Sequence, residues 1–134
     1  MMKCLLDNTA RHNRIFNLKF LFVEDEVELV ELYQYMFDRI GLDYEVAYNG
    51  EEALEKVKNE KFDYIFSDIR MPKMNGIDFL KNLILEGLDF KKFIFVTAHQ
   101  EVSLDEVKEL GAHDILYKPI RHQVFMDYIQ DLQA

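Results

Sequence analysis

The chain has 134 residues, of which 49% are hydrophobic, and its formal net charge is −9. This length fits one domain with a real core, and the negative charge argues against direct binding to DNA or RNA, whose phosphates attract Lys and Arg surfaces. No apolar run is long enough to span a membrane. The only cysteine, Cys4, cannot form an intramolecular disulfide, so we expect a cytoplasmic protein.

Residues 1–18 are predicted to be an N-terminal extension to a domain that covers residues 19–134. Only Leu5 and Leu6 follow Cys4 before Asp7 and Asn8, and this run is too short for the apolar core of a signal peptide. A short helix and a flexible arm both stay open for this segment.

From residue 19 onward, short apolar runs alternate with longer amphipathic segments. The short runs are rich in Phe, Ile, Val and Tyr and nearly continuous in apolar character, which is typical of parallel strands covered on both faces. They are Lys19–Val23, Tyr44–Ala47, Tyr64–Ser67, Phe93–Thr97 and Ile115–Tyr117.

The segments between the strands carry apolar residues at spacings of three and four, which predict helices. The first ends at Gly41, the second is capped by Asn49, and the fourth ends at Gly111. Inward positions are predicted at Leu29, Leu32 and Tyr33 in the first helix, at Ile77, Phe79, Leu80, Leu83 and Ile84 in the third, and at Val124, Phe125, Tyr128 and Ile129 in the fifth. This (βα)5 alternation predicts an α/β fold, a doubly wound three-layer sandwich with a five-stranded parallel sheet.

Polar side chains mark the ends of four predicted strands. Glu24 and Asp25 follow the first strand, Asp68 the third and Lys118 the fifth, while Thr97 ends the fourth. In a doubly wound parallel sheet these strand ends meet at one edge, where ligands bind. We therefore expect three carboxylates, a hydroxyl and an ammonium group at one site.

Crowded carboxylates are costly unless a cation neutralises them. Oxygen ligands without Cys or His favour a hard ion, Mg²⁺ before Zn²⁺. With Mg²⁺ and Lys118 present, such a pocket can hold a phosphoryl group, and a carboxylate can attack phosphorus to form an acyl phosphate. Each residue alone has a simpler explanation as a strand-end cap, a strand former or a surface charge, so the interpretation depends on their joint placement.

Four segments of the chain resemble response regulator receiver domains of two-component signalling, the CheY-like family. They are Val23–Glu26, Ser67–Gly76, Phe95–Ala98 and Gly111–Pro119. The resemblance extends from Lys19 to Leu132. It implies a sheet with strand order 2-1-3-4-5 and a function as a phosphoacceptor in a phosphorelay.

The resemblance also implies roles for individual residues. Asp68 would be the phosphoacceptor. Asp25, Asp68 and the backbone carbonyl of Arg70 would coordinate Mg²⁺, for which Mn²⁺ can substitute, and Glu24 would act through a water. Lys118 would contact a phosphoryl oxygen.

Thr97 would respond by hydrogen-bonding the phosphoryl group, and the Lys118–Pro119 peptide bond would be cis. One position departs from the family pattern, since Ile115 replaces the aromatic residue that usually couples to the threonine. An aliphatic side chain cannot make the same rotamer and hydroxyl switch, and whether Tyr117 replaces it stays open.

Arg70 and His99 each lie two residues after a site residue, Asp68 and Thr97 respectively. In receiver domains these positions flank the phosphoryl group. One hypothesis is that Arg70 and His99 tune the attack of water on it. The other is that both are solvated residues at the rim.

The resemblance implies a sensor histidine kinase or phosphotransfer protein as phosphoryl donor. An output domain or protein would contact the face formed by the fourth helix, the fifth strand and the fifth helix. The chain would not be a stand-alone enzyme, although it would catalyse its own aspartyl phosphorylation and dephosphorylation. A homodimer stays open, and so does the question of whether the chain is complete or belongs to a longer protein.

Three other functions fit parts of the pattern. A pseudo-receiver would act by protein contact without phosphorylation, an alternative that Ile115 keeps open. A phosphatase with an aspartyl nucleophile needs Asp-x-Asp after the first strand, where this chain has Glu24-Asp25-Glu26. A flavodoxin needs hydroxyl- and Gly-rich phosphate loops, and the acidic residues here would repel the phosphate of FMN.

Overall fold

The computed structural model describes residues 18–132, so the predicted extension lies outside the described residues except for Leu18. Strands and helices alternate from β1 to α5. They are β1 (Lys19–Val23), α1 (Val27–Arg39), β2 (Asp43–Ala47), α2 (Gly50–Asn59), β3 (Tyr64–Ser67), α3 (Gly76–Leu85), β4 (Lys92–Thr97), α4 (Leu104–Glu109), β5 (Asp114–Tyr117) and α5 (His122–Asp131). No helix within residues 18–132 is long and apolar enough to cross a membrane.

All five strands pair in parallel in the order β2-β1-β3-β4-β5, which confirms the predicted doubly wound sheet and its strand order. The direction of winding reverses at β1, which lies between β2 and β3. The register places Val23 level with Ala47 on one side and with Ser67 on the other. The residues that follow β1 and β3 are therefore neighbours at the carboxyl edge of the sheet.

The core has two halves because both faces of the sheet are apolar. One half lies under α1 and α5 and is rich in aromatic rings; Phe22 stacks on Phe37 at 4.1 Å between ring centroids and meets Phe125 edge-on. The other half lies under α2, α3 and α4 around Phe93 and Phe95. Full burial of each ring contributes about 1.5–3 kcal/mol, so the strand ends are held on a closely packed support.

Side-chain caps begin three of the helices. Asn49, Asn75 and Ser103 each accept a hydrogen bond from the backbone N–H three residues further on, at 2.9, 2.8 and 3.2 Å. The predicted cap at Asn49 is thus confirmed, and each such cap is worth about 1 kcal/mol. Gly41 follows α1 with φ +68°, in the left-handed region that glycine adopts without strain.

Three predicted inward positions are wrong: Leu32, Ile84 and Val124 are 55%, 52% and 48% exposed. Each lies directly beside a residue that does face the sheet, and adjacent residues project about 100° apart around a helix. The sheet covers each helix on one side only. The other residue of each apolar pair therefore points to solvent.

Candidate functional site

Three carboxylates gather at the carboxyl edge of the sheet. Glu24 and Asp25 follow β1, Asp68 follows β3, and one carboxylate oxygen from each lies within 4.8 Å of the other two. Glu24 and Asp68 are only 3% and 8% exposed, and Asp25 is half-buried. Because ionised carboxylates repel one another, this cluster requires positive charge nearby.

Backbone hydrogen bonds hold the two buried carboxylates in place. The Glu24 N–H donates to the Ala47 carbonyl at 3.0 Å, and the Asp68 N–H donates to the Val23 carbonyl at 2.9 Å. These bonds continue the pairing of the strands by one residue beyond their ends. The Glu26 N–H donates to Oε2 of Glu24 at 3.1 Å, and the Ile69 N–H donates to Oδ1 of Asp68 at 2.7 Å. Both carboxylates are therefore oriented before any ligand arrives.

Lys118 enters the cluster directly after β5. Its ammonium group donates to Oδ2 of Asp68 at 2.9 Å and also to Oε1 of Glu24. The Lys118–Pro119 peptide bond is cis, as the sequence resemblance implies. Three carboxylates and one ammonium group leave a formal charge of −2, which one divalent cation would neutralise.

Burial and hydrogen bonding shift the pKa values of two groups in this cluster. Burial raises the pKa of Glu24 to about 7 even though Lys118 and the Glu26 N–H oppose the change. Burial by itself would lower the pKa of Lys118, but the hydrogen bonds to Glu24 and Asp68 outweigh it, and the pKa is raised. Lys118 is therefore charged at neutral pH.

The donor set suits a hard cation. Every side-chain atom of the cluster that could bind a metal is a carboxylate oxygen. Within residues 18–132, no Cys or His belongs to this group of three. Oxygen-only sites with several carboxylates favour Mg²⁺ and Ca²⁺ over Zn²⁺. The residues present therefore fit Mg²⁺.

Thr97 lies fully buried at the end of β4, and its hydroxyl accepts a hydrogen bond from the His99 N–H at 3.1 Å. On the adjacent strand, Ile115 is 7% exposed and packs in the core half that contains α4. Tyr117 projects from the same face as Ile115, and its hydroxyl donates to the Val102 carbonyl in the β4–α4 loop. The aromatic contact with this loop thus comes from Tyr117.

An ion-pair group outside the carboxylate cluster joins the β3–α3 loop to the β4–α4 loop. Oε1 of Glu101 lies 3.4 Å from Nη2 of Arg70 and 3.5 Å from Nδ1 of His99. Arg70 and Glu101 are exposed, so solvent limits this contact to about 1 kcal/mol or less. Arg70 and His99 were singled out from the sequence, but Glu101 was missed because its proximity depends on how two loops fold.

A small cavity lies behind the carboxylates, between the sheet and helices α1 and α5. Its lining residues are Phe22, Val23, Glu24, Tyr33, Phe66, Ser67, Asp68, Val96 and Phe125. Tyr33, predicted from the sequence only as a core residue, is 8% exposed. Burial raises the pKa of Tyr33 to about 12, so its hydroxyl is protonated at neutral pH.

A doubly wound sheet with buried carboxylates and a lysine at its carboxyl edge defines an α/β domain of the flavodoxin type that can hold a hard cation there. The family model described as the response regulator receiver domain matches residues 20–130. The chain belongs to this family, the receiver domains of two-component response regulators.

Curated relatives carry the same domain within longer proteins. The alkaline phosphatase synthesis transcriptional regulatory protein PhoP of Bacillus subtilis is 40% identical over 103 residues, which are 77% of this chain and 43% of PhoP. The transcriptional regulatory protein CpxR homolog of Haemophilus influenzae is 41% identical over 103 residues, 75% of this chain and 44% of that protein. The chain therefore spans less than half the length of these relatives.

Solved structures of similar fold include two that contain a CheY protein. Vibrio cholerae chemotaxis protein CheY4 has a TM-score of 0.75 and 29% identity, with 85% of this chain and 97% of that chain covered. A chain of the CheX–CheY–BeF3–Mg²⁺ complex from Borrelia burgdorferi has a TM-score of 0.76 and 26% identity, with 87% and 90% covered.

Proposed function

We propose that this receiver domain accepts a phosphoryl group on Asp68 in a Mg²⁺-dependent reaction. One observation carries the proposal: the Asp68 carboxylate lies within 4.8 Å of Glu24 and Asp25 while it accepts a hydrogen bond from the Lys118 ammonium group. The three carboxylates supply the negative charge that a divalent cation needs. One of them, Asp68, is also the nucleophile, and Lys118 places a positive charge next to it. The donor would be the phosphohistidine of a sensor histidine kinase or a phosphotransfer protein.

In this reaction an oxygen of Asp68 attacks phosphorus as the bond from phosphorus to the histidine nitrogen breaks. The electron pair of that bond stays with the imidazole, and Asp68 becomes an acyl phosphate. Asp25, Asp68 and the Arg70 carbonyl would hold Mg²⁺, or Mn²⁺ in its place, with Glu24 acting through a water. The cation would supply positive charge to the phosphoryl oxygens.

Lys118 contributes charge without needing the metal. Its ammonium group lies 2.9 Å from Oδ2 of Asp68, and from there it would bind an oxygen of the incoming phosphoryl group. The Ile69 N–H fixes the rotation of the carboxylate through Oδ1. A similar structure from Borrelia burgdorferi contains CheY in a complex with BeF3 and Mg²⁺, which is consistent with the proposed chemistry.

The signal would leave the site through the β4–α4 loop. The Thr97 hydroxyl accepts a hydrogen bond from the His99 N–H. If the hydroxyl turned to donate to a phosphoryl group, this hydrogen bond and the loop that contains it would be disturbed. We propose that the face formed by α4, β5 and α5 then binds an output domain or protein. Curated relatives are named as transcriptional regulators, so an output domain that acts on transcription is our first expectation.

A pseudo-receiver that works by protein contact alone is the second candidate. The buried Ile115 favours it, because an aliphatic side chain offers no rotamer and hydroxyl switch next to Thr97. A self-standing phosphatase is less well supported than either, because the residue two positions after Asp25 is Val27. We further propose that the domain covers residues 19–134 and that residues 1–18 are an extension to it.

Metal binding is expected to stabilise the fold. At about 100 times its Kd, Mg²⁺ should raise the free energy of unfolding by ~2.7 kcal/mol, and Asp25→Asn should lose most of this gain because a carboxylate ligand becomes an amide. Chemical denaturation with and without Mg²⁺ measures both values. Asp43→Asn, which alters an exposed carboxylate at the opposite edge of the sheet, should keep the full gain. Equal gains in wild type and Asp25→Asn would contradict the assigned metal site.

Arg70 and His99 are expected to lengthen the lifetime of the acyl phosphate. Both side chains contact Glu101, and each lies two residues after a site residue, from where it would restrict the approach of water. Arg70→Ala and His99→Ala should each speed dephosphorylation on the order of threefold, the size of a weak surface contact. Loss of the adduct over time measures this, with the exposed Gln100→Ala in the same loop as control. Unchanged rates would leave both as solvated rim residues.

A further inference from the structure

Tyr33 of α1 lines the small cavity behind the carboxylate cluster. Its side chain lies in the aromatic half of the core, with its ring 5.4 Å from that of Phe125 and nearly perpendicular to it. The residue is more than nine-tenths buried and lines the cavity that also touches Glu24 and Asp68. Burial is the largest cause of its raised pKa, and the charges of Lys118, Glu24, Asp68 and Glu26 also act on it.

No protein group in residues 18–132 forms a hydrogen bond with this hydroxyl, whereas those of Tyr44, Tyr64 and Tyr128 each donate to an oxygen. Leaving a buried hydroxyl without a partner costs about 1–3 kcal/mol. The cavity that Tyr33 lines has the size that one water needs. A water also needs at least two polar partners, and Tyr33, Glu24 and Asp68 supply them.

Glu24 has hydrogen-bond acceptor capacity left on this side and is the more deeply buried of the two carboxylates that line the cavity. Its Oε1 accepts from Lys118 and its Oε2 from the Glu26 N–H, and each carboxylate oxygen has a second lone pair. The carboxylate is 3% exposed, so bulk solvent cannot serve those lone pairs. A water in the cavity, which Tyr33 of α1 and Phe125 of α5 line, would do so.

We propose that one buried water joins the Tyr33 hydroxyl to the Glu24 carboxylate and that Tyr33 is thereby a positioning residue for Mg²⁺. The inference rests on the proposed function, since it assigns Tyr33 to the same site. Hydrogen bonds from outside the ligand shell orient ligands and raise metal affinity, typically by about 10- to 100-fold for direct partners. Tyr33 acts through a water, so a smaller effect is expected.

Isothermal titration of Mg²⁺ alone into the full chain tests the proposal. Tyr33→Phe should raise the Kd for Mg²⁺ about fivefold, below the range for direct partners. Tyr44→Phe is the matched control. The Tyr44 ring packs against the same half of the core, but its hydroxyl donates to Asp38, away from the site. Its Kd should equal that of wild type.

Phosphorylation by phosphoramidate gives a second readout that a structural role would not move. In Tyr33→Phe, the Mg²⁺ concentration for half-maximal rate should rise about fivefold, in step with the Kd, while the rate at saturating Mg²⁺ stays unchanged. The free energy of unfolding without Mg²⁺ should fall, because the water loses a partner.

Each other outcome has one meaning. If Tyr33→Phe bound Mg²⁺ with the same Kd as wild type, the role of Tyr33 would be overturned and the proposed function would stay intact. If the free energy of unfolding of Tyr33→Phe were higher than that of wild type, the cavity would be dry and the Tyr33 hydroxyl would have no partner. That result would overturn the buried water. No Mg²⁺ binding by wild type would remove the proposed function and this inference together.

Discussion

Lys118→Ala should slow phosphorylation of Asp68 by roughly 100-fold or more at saturating Mg²⁺, the loss seen when one fixed charge or donor is removed from a reacting oxyanion. The ammonium group is bonded to both Glu24 and Asp68 and has little access to solvent, so water cannot replace it. The metal site should persist because no metal ligand is altered. Removing a competing positive charge should leave the affinity for Mg²⁺ equal to or higher than that of wild type.

Initial rates with phosphoramidate, together with a Mg²⁺ titration of each protein, measure both effects. Lys56→Ala is the matched control, because Lys56 forms an ion pair with Glu45 on β2 at 3.1 Å, away from the cluster. Its rate should be close to that of wild type. If Lys118→Ala reacted at the wild-type rate while binding Mg²⁺, the role given to the ammonium group would be wrong.

Gly76→Ala should cost about 3 kcal/mol of folding stability, at the upper end for overpacking. An added Cβ would lie 2.0 Å from the Asp68 carbonyl oxygen and 3.1 Å from a ring carbon of Phe95. The first contact is with backbone, which cannot rotate away, and Gly76 is anchored there by its N–H bond to the Ile69 carbonyl at 2.8 Å. The segment that carries Asp68 must therefore move.

Chemical denaturation of Gly76→Ala and Gly87→Ala separates crowding from the general effect of losing a glycine. Gly87 has φ +65° with nothing within 4 Å of an added Cβ, so alanine there meets only the left-handed backbone penalty of about 1–2 kcal/mol. Gly76→Ala should be the less stable of the two and should also phosphorylate more slowly. A smaller loss at Gly76 than at Gly87 would refute the close approach of α3 to Asp68.

The strands were predictable because parallel strands covered on both faces leave nearly unbroken apolar runs. Lys19–Val23 and Tyr64–Ser67 were predicted to the residue, and β2, β4 and β5 each begin one residue earlier, at Asp43, Lys92 and Asp114. Those three residues are polar, so hydrophobicity alone could not include them. Val124 was misjudged for the opposite reason, because an apolar residue beside a buried one does not reveal which of the two faces the sheet.

The carboxylate cluster was predictable because residues at strand ends meet once the sheet is parallel and doubly wound. Glu24, Asp25 and Asp68 needed only the strand boundaries to be placed together. Tyr33 and Glu101 did not follow from the sequence. The first looks like any core position of an amphipathic helix, and the second meets Arg70 only through the path of two loops.

The most direct test of the central claim is the intact mass of the protein after incubation with acetyl phosphate or phosphoramidate. The measurement is made with and without Mg²⁺, on wild type and on Asp68→Ala. A functioning receiver site predicts a single phosphoryl adduct on wild type that requires Mg²⁺, is labile to acid and base, and is absent from Asp68→Ala. No adduct on wild type with either donor would contradict phosphorylation at Asp68 and favour the pseudo-receiver, and an adduct that persists in Asp68→Ala would assign the phosphoryl group to another residue.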